Sequence, residues 1–345
     1  MVALSKVIAS NERIASTLPP SLVAVFVGGT SGVGEYTVKA FAKYASKPKV
    51  YLVGRSQESA TRIIDECKKL NPGGIFEFIK ADVSVLKGVD DVCRQLKSKE
   101  TEINLLFQSQ GSLGFTKITS DGLPQASALN TYSRMRFVYN LLPLIQNASS
   151  LRRIVSVLAA NCEGPIDLDN LSGLGFALRK WRNQLSSMQT LLLEEAARRA
   201  PNVAFVHTMP GLVKSGILRD AEGIVMNILS GLSHYVLEPL LQTPPDESGE
   251  RHLFVATSAM YASYNDNATP AGVPLDTTLS IARGSDGKTG SGVYSINNYG
   301  NKGGEGASPK VEQLLAQFRK DGTARKVCDH VTAEFKRITG TEIAA

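Results

Sequence analysis

The chain has 345 residues, of which 43% are hydrophobic and 20% are charged, and its formal net charge is +6. This length and apolar content allow one large globular domain or about two ordinary ones. The 38 basic and 32 acidic residues are interspersed along the chain, without a basic run or a Lys/Arg tail. We therefore expect no nucleic-acid partner.

The beginning of the chain carries a polar side chain every few positions, so it predicts neither a signal peptide nor a membrane span. We expect a cytoplasmic protein without a membrane partner. The cysteines form no Cys-x-x-Cys pair, and most lie in segments with helical spacing. Reduced thiols are therefore favoured over disulfides or a metal site.

Short, β-rich apolar runs alternate with longer amphipathic segments along the first two thirds of the chain. The runs are Leu22–Val27, Val50–Val53, Ile75–Ile79, Ile103–Phe107, Ile154–Leu158 and Val203–His207. Helical spacing is clearest in Glu58–Leu70 and Val85–Leu96. This alternation is typical of βαβ units whose parallel strands are buried on both faces. The sequence thus predicts an α/β fold with a Rossmann-type doubly wound parallel sheet.

The alternation fades after Pro210. An apolar stretch, Ile224–Leu241, reads as an ordinary packed helix or as a lid, and the packed helix is the preferred interpretation. One more strand candidate, Gly292–Ile296, precedes amphipathic helices over Pro309–Ile338. We predict a dinucleotide-binding domain over residues 1–260 and a helical C-terminal extension over residues 261–345, packed on the same domain.

A glycine-rich turn joins the first predicted strand to the first helix of the alternating region. Gly28 permits the tight turn, Gly32 lets the backbone approach a pyrophosphate, and Gly34 lets the helix pack close to the strand. The helix N-terminus offers N–H groups and a positive dipole end to phosphates. In this context the loop predicts a dinucleotide site, whose other loop residues are Thr30, Ser31 and Val33.

Arg55 follows the second strand, where dinucleotide folds discriminate at the adenosine ribose. An acidic residue there would accept hydrogen bonds from a free 2′-hydroxyl, whereas Arg55 suits a 2′-phosphate. NADP, bound as NADPH, is therefore predicted over NAD, and the alternative is a solvated Arg that follows a strand. Asp82, after the third strand, is placed to hydrogen-bond the adenine edge.

With these residues, the chain resembles the short-chain dehydrogenase/reductase family over roughly its first 260 residues. Its long extension is similar to that of a divergent branch common in filamentous fungi. The family's Thr-Gly-x-x-x-Gly-Ile-Gly motif is present with Val27 in place of Thr. The family's Asn-Asn-Ala-Gly is replaced by Gln-Ser-Gln-Gly at 108–111, which keeps Gly111.

The resemblance implies further contacts with the cofactor. Asn130 matches the Asn of the family's fourth helix. The family's Pro-Gly-x-Val-x-Thr segment, at the nicotinamide end, is matched by Pro210, Gly211, Val213 and Ser215. Cofactor binding is therefore expected. Dimers through the fourth and fifth helices are common in the family, so a homodimer is a possible assembly.

The family's catalytic residues are not matched. The family uses a Ser at the end of the fifth strand and a Tyr-x-x-x-Lys on the next helix, because hydride addition creates an alkoxide that must be stabilised and protonated. Ala159 stands at the Ser position, and no tyrosine occurs between Tyr139 and Tyr235. The nearest remnant is Phe176-x-x-x-Lys180; other alignments place Ala177 or Leu178 at the Tyr position. Lys180 is either a surface cation or a cofactor contact.

Other residues must then carry any chemistry. His207 ends the sixth strand, near the crevice where open α/β sheets bind ligands, although a structural histidine is the alternative. Tyr132 and Arg134 follow Asn130 on the fourth helix and could polarise a carbonyl or shuttle a proton. Polar side chains in or after the fifth strand are weaker candidates, namely Ser156, Asn161, Glu163 and Asp167. Our catalytic candidates are Asn130, Tyr132, Lys180 and His207, with no metal.

Three functions stay open. The first is an NADP(H)-dependent reductase or dehydrogenase acting on a small, fairly apolar secondary metabolite, with an unconventional or water-borne proton donor. The second is a non-redox cyclase, isomerase or dehydratase, and the third is a cofactor-binding pseudoenzyme. The first is favoured because the phosphate loop, Arg55 and Asp82 would have no use in a protein that never bound the cofactor.

Overall fold

The computed structural model describes residues 2–214, 243–266, 271–297 and 306–344. Its centre is a seven-stranded sheet in the order β3-β2-β1-β4-β5-β6-β7, in which every neighbouring pair is parallel. The strands are β1 Val23–Val27, β2 Lys49–Gly54, β3 Ile75–Lys80, β4 Leu105–Gln108, β5 Arg153–Val157, β6 Ala204–Met209 and β7 Val293–Asn297. The predicted Rossmann-type doubly wound sheet is confirmed.

Helices cover both faces of this sheet. The helices before β5 are α1 Leu4–Glu12, α2 Ile14–Thr17, α3 Gly32–Tyr44, α4 Gln57–Leu70, α5 Leu86–Lys99, α6 Gln125–Ser127 and α7 Ser133–Asn147. Those after β5 are α8 Leu178–Arg199, α9 Pro245–Thr257, α10 Pro309–Lys320 and α11 Thr323–Thr339. Between α6 and α7, a π-helical turn spans Ala128–Tyr132.

The apolar core is divided by the sheet into two layers. One layer packs α5, α7, α8 and α11 against the sheet, and the other packs α1, α3, α4 and α9 against its opposite face. Every residue of β1 is buried, because both of its faces are covered. This explains why the strands read as continuous apolar runs rather than as alternating ones.

The start of the fourth strand differs from the prediction for a local reason. β4 begins at Leu105 rather than at Ile103, since the N–H of Ile103 donates to Leu144 O in α7 at 3.0 Å and not to a strand. The helices predicted over Pro309–Ile338 are α10 and α11, and Gly322, with a φ of +82°, separates them. The predicted helix Ile224–Leu241 lies outside the described residues.

The C-terminal region completes the sheet and covers one of its helical layers. β7 pairs with β6, and α11 packs against α5 and α8. The domain boundary at residue 260 stays a prediction. Among the described residues, we find no helix with the length and apolarity required to cross a membrane.

Candidate functional site

A cavity of about 460 Å³ opens at the carboxyl ends of the central strands. The strand order reverses between β1 and β4, and ligands of doubly wound sheets bind at such a switch point. The cavity runs from the glycine-rich loop after β1, past the ends of β2 and β3, to the π-helical turn and Pro210. It thereby joins segments that are distant in the sequence.

The glycine-rich loop is shaped by close backbone approaches. Gly28 has a φ of +81°, and a Cβ there would lie 2.6 Å from the backbone nitrogen of Gln110. A Cβ on Gly34 would lie 2.5 Å from the carbonyl oxygen of Gly28, so α3 packs tightly against the loop. Helix α3 begins at Gly32, and the hydroxyl of Ser31 forms no capping hydrogen bond. The first N–H groups of α3 are thus free of a side-chain cap.

The loop residues Gly28, Thr30, Ser31 and Val33 line the cavity. Gly32 and Gly34 lie directly behind them in the first turn of α3. The predicted loop residues are therefore brought together at one end of the cavity.

Arg55 lines the cavity in the turn between β2 and α4. Its side chain is exposed and forms no hydrogen bond or ion pair with a residue in the described ranges. Asp82 lines the same region, and its Oδ1 accepts hydrogen bonds from the backbone nitrogen of Ser84 at 2.9 Å and from the Ser84 hydroxyl at 2.7 Å. A free cation and a fixed carboxylate therefore flank this end of the cavity.

The inner end of the cavity contains Asn130, Gln110 and Arg134. Asn130 lies in the π-helical turn, and its Nδ2 donates to Ser112 O at 3.0 Å and to Ala126 O at 2.7 Å. The side chain of Gln110 is buried, and neither polar atom of its amide has a hydrogen-bond partner among the described residues. The inner end is thus rich in buried polar groups.

The remaining predicted cofactor contacts lie in two places. Gly111 and Pro210 line the cavity. Gly211 follows directly, and Val213 forms an isolated bridge to Thr243. Neither of these two residues lines the cavity, and Ser215 lies outside the described residues.

Comparison with known proteins gives the family. A family model described as short chain dehydrogenase matches residues 22–168. Oxidoreductase AN1596 of Emericella nidulans is 38% identical over 336 residues, which cover 96% of this chain and 97% of that protein. Short-chain dehydrogenase/reductase SAT2 of Stachybotrys chartarum is 30% identical over 339 residues, 90% of each chain. The chain belongs to the short-chain dehydrogenase/reductase family.

Solved structures of the family share the fold. L-sorbose reductase from Gluconobacter frateurii, solved with NADPH and L-sorbose, superposes with a TM-score of 0.52 over 76% of this chain and 97% of that one. The sequence identity is 17%, so the likeness concerns the fold alone.

At the positions where the family has its catalytic groups, the structure shows other contacts. Ala159 is buried, its carbonyl oxygen accepts from the Ser186 hydroxyl at 2.6 Å, and the neighbouring cavity wall is formed by Val157 and Leu158. Phe176 precedes α8 and so does not share a helix face with Lys180. The Phe-x-x-x-Lys remnant is therefore not arranged as the family's Tyr and Lys are.

Lys180 and Tyr132 do not line the cavity. The Nζ of Lys180 lies 2.9 Å from Asp167 Oδ2 and 3.7 Å from the centre of the Phe176 ring, on the surface. The hydroxyl of Tyr132 lies 2.8 Å from His330 Nε2, and burial raises its pKa above the usual range. Each side chain is engaged elsewhere.

His207 is fully buried in a hydrogen-bonded chain beside β5. Its Nε2 accepts from the backbone nitrogen of Ala159 at 3.2 Å, so the proton of the neutral ring is on Nδ1, which lies 2.9 Å from the Thr190 hydroxyl. That hydroxyl donates to Glu163 Oε1 at 2.8 Å. Burial lowers the pKa of His207 to about 3. The ring therefore holds the backbone at Ala159 as a neutral group and does not line the cavity.

Glu163 lies at the far end of this row of hydrogen-bonded side chains. Its carboxyl is fully buried, and its Oε1 also accepts from the Ser295 hydroxyl at 2.6 Å. Burial raises its pKa, against the lowering effect of these hydrogen bonds. These hydrogen bonds thus connect the end of β5 with α8 and β7 behind the site.

Arg134, which the sequence already indicates as a candidate, lines the inner end of the cavity. It follows Asn130 by four residues, a spacing that places two side chains on one helical face, and this spacing is its signal in the sequence. No helical pattern could indicate that its partners would be carbonyl groups at the end of β4.

Proposed function

We propose that this protein is an NADP(H)-dependent oxidoreductase that acts on a small apolar secondary metabolite with a non-standard catalytic site. The observation that carries the proposal is the continuous cavity from the phosphate loop to the polar inner end at Asn130. Between them it passes Arg55, which has no partner in the described ranges. A cavity with this order of groups matches the parts of a phosphorylated dinucleotide.

The residues present fit that cofactor. The uncapped N-terminus of α3, with Thr30 and Ser31, would hold the pyrophosphate, and Arg55 would hold a 2′-phosphate. Asp82 would lie at the adenine, and Asn130, Gly111 and Pro210 would lie toward the nicotinamide. When bound, the cofactor supplies or accepts a hydride. The NADPH complex of L-sorbose reductase supports the same choice for this fold.

The apolar part of the cavity suits an apolar substrate. Leu129, Val157 and Leu158 line it near Asn130. Because Ala159 offers no hydroxyl and Lys180 lies on the surface, we propose that water, rather than a side chain of the usual set, carries the proton to the reacting oxygen. His207 acts as a positioning residue for the backbone at Ala159.

We also propose that the protein is cytoplasmic.

Cofactor choice can be tested with Arg55→Ala. We expect the Kd for NADPH to rise about ten- to a hundredfold, because a charge-assisted hydrogen bond contributes about 1.5–3 kcal/mol, while the Kd for NADH changes little. Isothermal titration calorimetry measures both constants. Arg325→Ala, at an exposed arginine on α11, is the matched control. An equal loss of affinity for NADPH and NADH would show that Arg55 does not bind the 2′-phosphate.

The absence of the usual Ser and Tyr favours a second candidate, a non-redox cyclase, isomerase or dehydratase that uses the same cavity. The two functions differ in one measurement. Purified protein is incubated with NADPH and polyketide or terpenoid ketones, while the absorbance of the reduced nicotinamide and the product are both followed. Loss of absorbance in proportion to product supports the oxidoreductase, whereas product without loss of absorbance supports the non-redox catalyst.

A further inference from the structure

Three arginines are among the largest fully buried side chains in the described part of the chain: Arg134, Arg136 and Arg153. A guanidinium group keeps its charge in proteins, so its burial is unfavourable unless a negative group balances it. One of the three is paired with a carboxylate, and a second lies at the C-terminal end of a helix.

Arg136 is paired with Asp90 through two hydrogen bonds, Nε to Oδ1 at 2.7 Å and Nη2 to Oδ2 at 2.8 Å. Arg153 donates to the carbonyl oxygens of Val255 at 2.8 Å and Ser258 at 3.1 Å. These carbonyls lie at the C-terminal end of α9, where the helix dipole is negative. Asp90 therefore balances the charge of Arg136. Arg153 is held at the end of α9, although its Nε has no hydrogen-bond partner among the described residues and burial lowers its pKa to about 10.

Arg134 has no such partner. Its Nη1 donates to Gln108 O at 3.3 Å and to the Ser156 hydroxyl at 2.7 Å, and its Nη2 donates to Gln110 O. Since a guanidinium has five N–H donors, two are unused, and one of them is on Nε. Within the described ranges it forms no ion pair, and burial lowers its pKa to about 9. Among the described residues, only neutral acceptors hold this cation.

Arg134 differs from the other two arginines in lining the cavity. Gln110 lines it as well, is 6% exposed, and has both amide atoms without a partner in the described structure. A buried cation with spare donors and a buried amide with a spare N–H group therefore line the same cavity. Buried polar groups are almost always satisfied, so two neighbouring exceptions in a cavity indicate a missing ligand.

We propose that Arg134 and Gln110 form a subsite for an anionic oxygen of the substrate, either a carboxylate or the enolate of an acidic 1,3-dicarbonyl. The inference rests on the proposed function for the presence of a small molecule beside Asn130. It narrows the substrate class to apolar metabolites that carry one acidic oxygen. The fork of N–H groups on a guanidinium suits a carboxylate, and the low dielectric of the cavity strengthens the attraction.

Benzoate and its neutral isostere benzamide are suitable probes, because they differ in the charge of one group on the same ring. With the NADPH-saturated protein, we expect calorimetry to give a Kd for benzoate at least tenfold lower than that for benzamide. Arg134→Met keeps the length of the side chain without the charge and should remove this preference. Arg134→Lys should restore part of it.

Arg153→Met is the matched control, since it removes a buried arginine outside the cavity and should leave the benzoate preference intact. Circular dichroism melting reports whether each variant folds. If Arg134→Met does not fold, the subsite is tested with Gln110→Leu and with the benzoate and benzamide affinities of the wild type. Gln110→Leu should weaken benzoate binding by about threefold or more.

Equal affinities of the wild type for benzoate and benzamide would overturn the subsite. So would an Arg134→Met protein that binds benzoate normally but NADPH weakly, because the guanidinium would then serve the cofactor. A protein that prefers benzoate and does not bind NADPH would keep the subsite and reject the proposed cofactor, so the two failures are distinguishable.

Discussion

His207 and His252 are fully buried and neutral, because burial lowers the pKa of His207 to about 3 and that of His252 to about 4. In the unfolded chain a histidine titrates near pH 6.5. Below that value the unfolded state binds protons that the folded state does not. The stability that these residues contribute is therefore complete above about pH 6.5 and is lost as the pH falls toward their folded pKa values.

We therefore predict that the folded protein loses stability in acid. Between pH 7 and pH 5 we expect each of these two histidines to remove about 2 kcal/mol from the free energy of unfolding. His207→Gln is less stable at pH 7, because the Ala159 and Thr190 hydrogen bonds are disturbed, but it loses less between pH 7 and pH 5 than the wild type. Urea denaturation at both pH values measures this. Parallel losses in the two proteins would show that His207 is not buried as a neutral ring.

Asn130 in the π-helical turn donates to Ala126 O four residues earlier and to Ser112 O in a separate loop, and periodicity does not indicate the second contact. The strands and most helices follow from local patterns, since continuous apolar runs and 3.6-residue spacing suffice to place them. The phosphate loop and Arg55 are equally local. By contrast, the partners of Arg134 and His207 lie on other strands and helices, and helical spacing does not indicate that Lys180 pairs with Asp167 on the surface.

Asn130→Leu tests whether the π-helical turn shapes the cavity. We expect a loss of about 2–4 kcal/mol in unfolding free energy, because the buried carbonyls of Ser112 and Ala126 each lose a donor, together with weaker NADPH binding. Asn140→Leu is the matched control: Asn140 is also buried, on α7, and bonds to Asp90 and Ala344 away from the cavity. It should lose stability and keep its NADPH affinity, as fluorescence titration would show. Normal NADPH affinity in Asn130→Leu would show that the π-helical turn does not shape the cofactor site.

In the molecule as a whole, the C-terminal extension covers the two helices through which dimers of the resembled family commonly form, the helices after the fourth and fifth strands. These are α7 and α8 here. The ring of Tyr139 on α7 packs edge-on against Phe335 of α11, with ring centres 6.1 Å apart. On α8, Glu194 accepts from Arg319 of α10 at 2.8 and 2.9 Å. The extension therefore contacts both of these helices within one chain.

We therefore expect a monomer under conditions in which the extension is folded. Size-exclusion chromatography with light scattering should give the mass of one chain, 37.0 kDa, at micromolar concentration. Val331→Asp places a charge among the buried residues of α11 and should loosen the extension, which lowers the melting temperature and exposes α7 and α8. Self-association should then increase. Thr332→Asp, at a less buried neighbouring position on the same helix, controls for the added charge and should stay monomeric. A stable wild-type species of twice the chain mass would contradict the prediction.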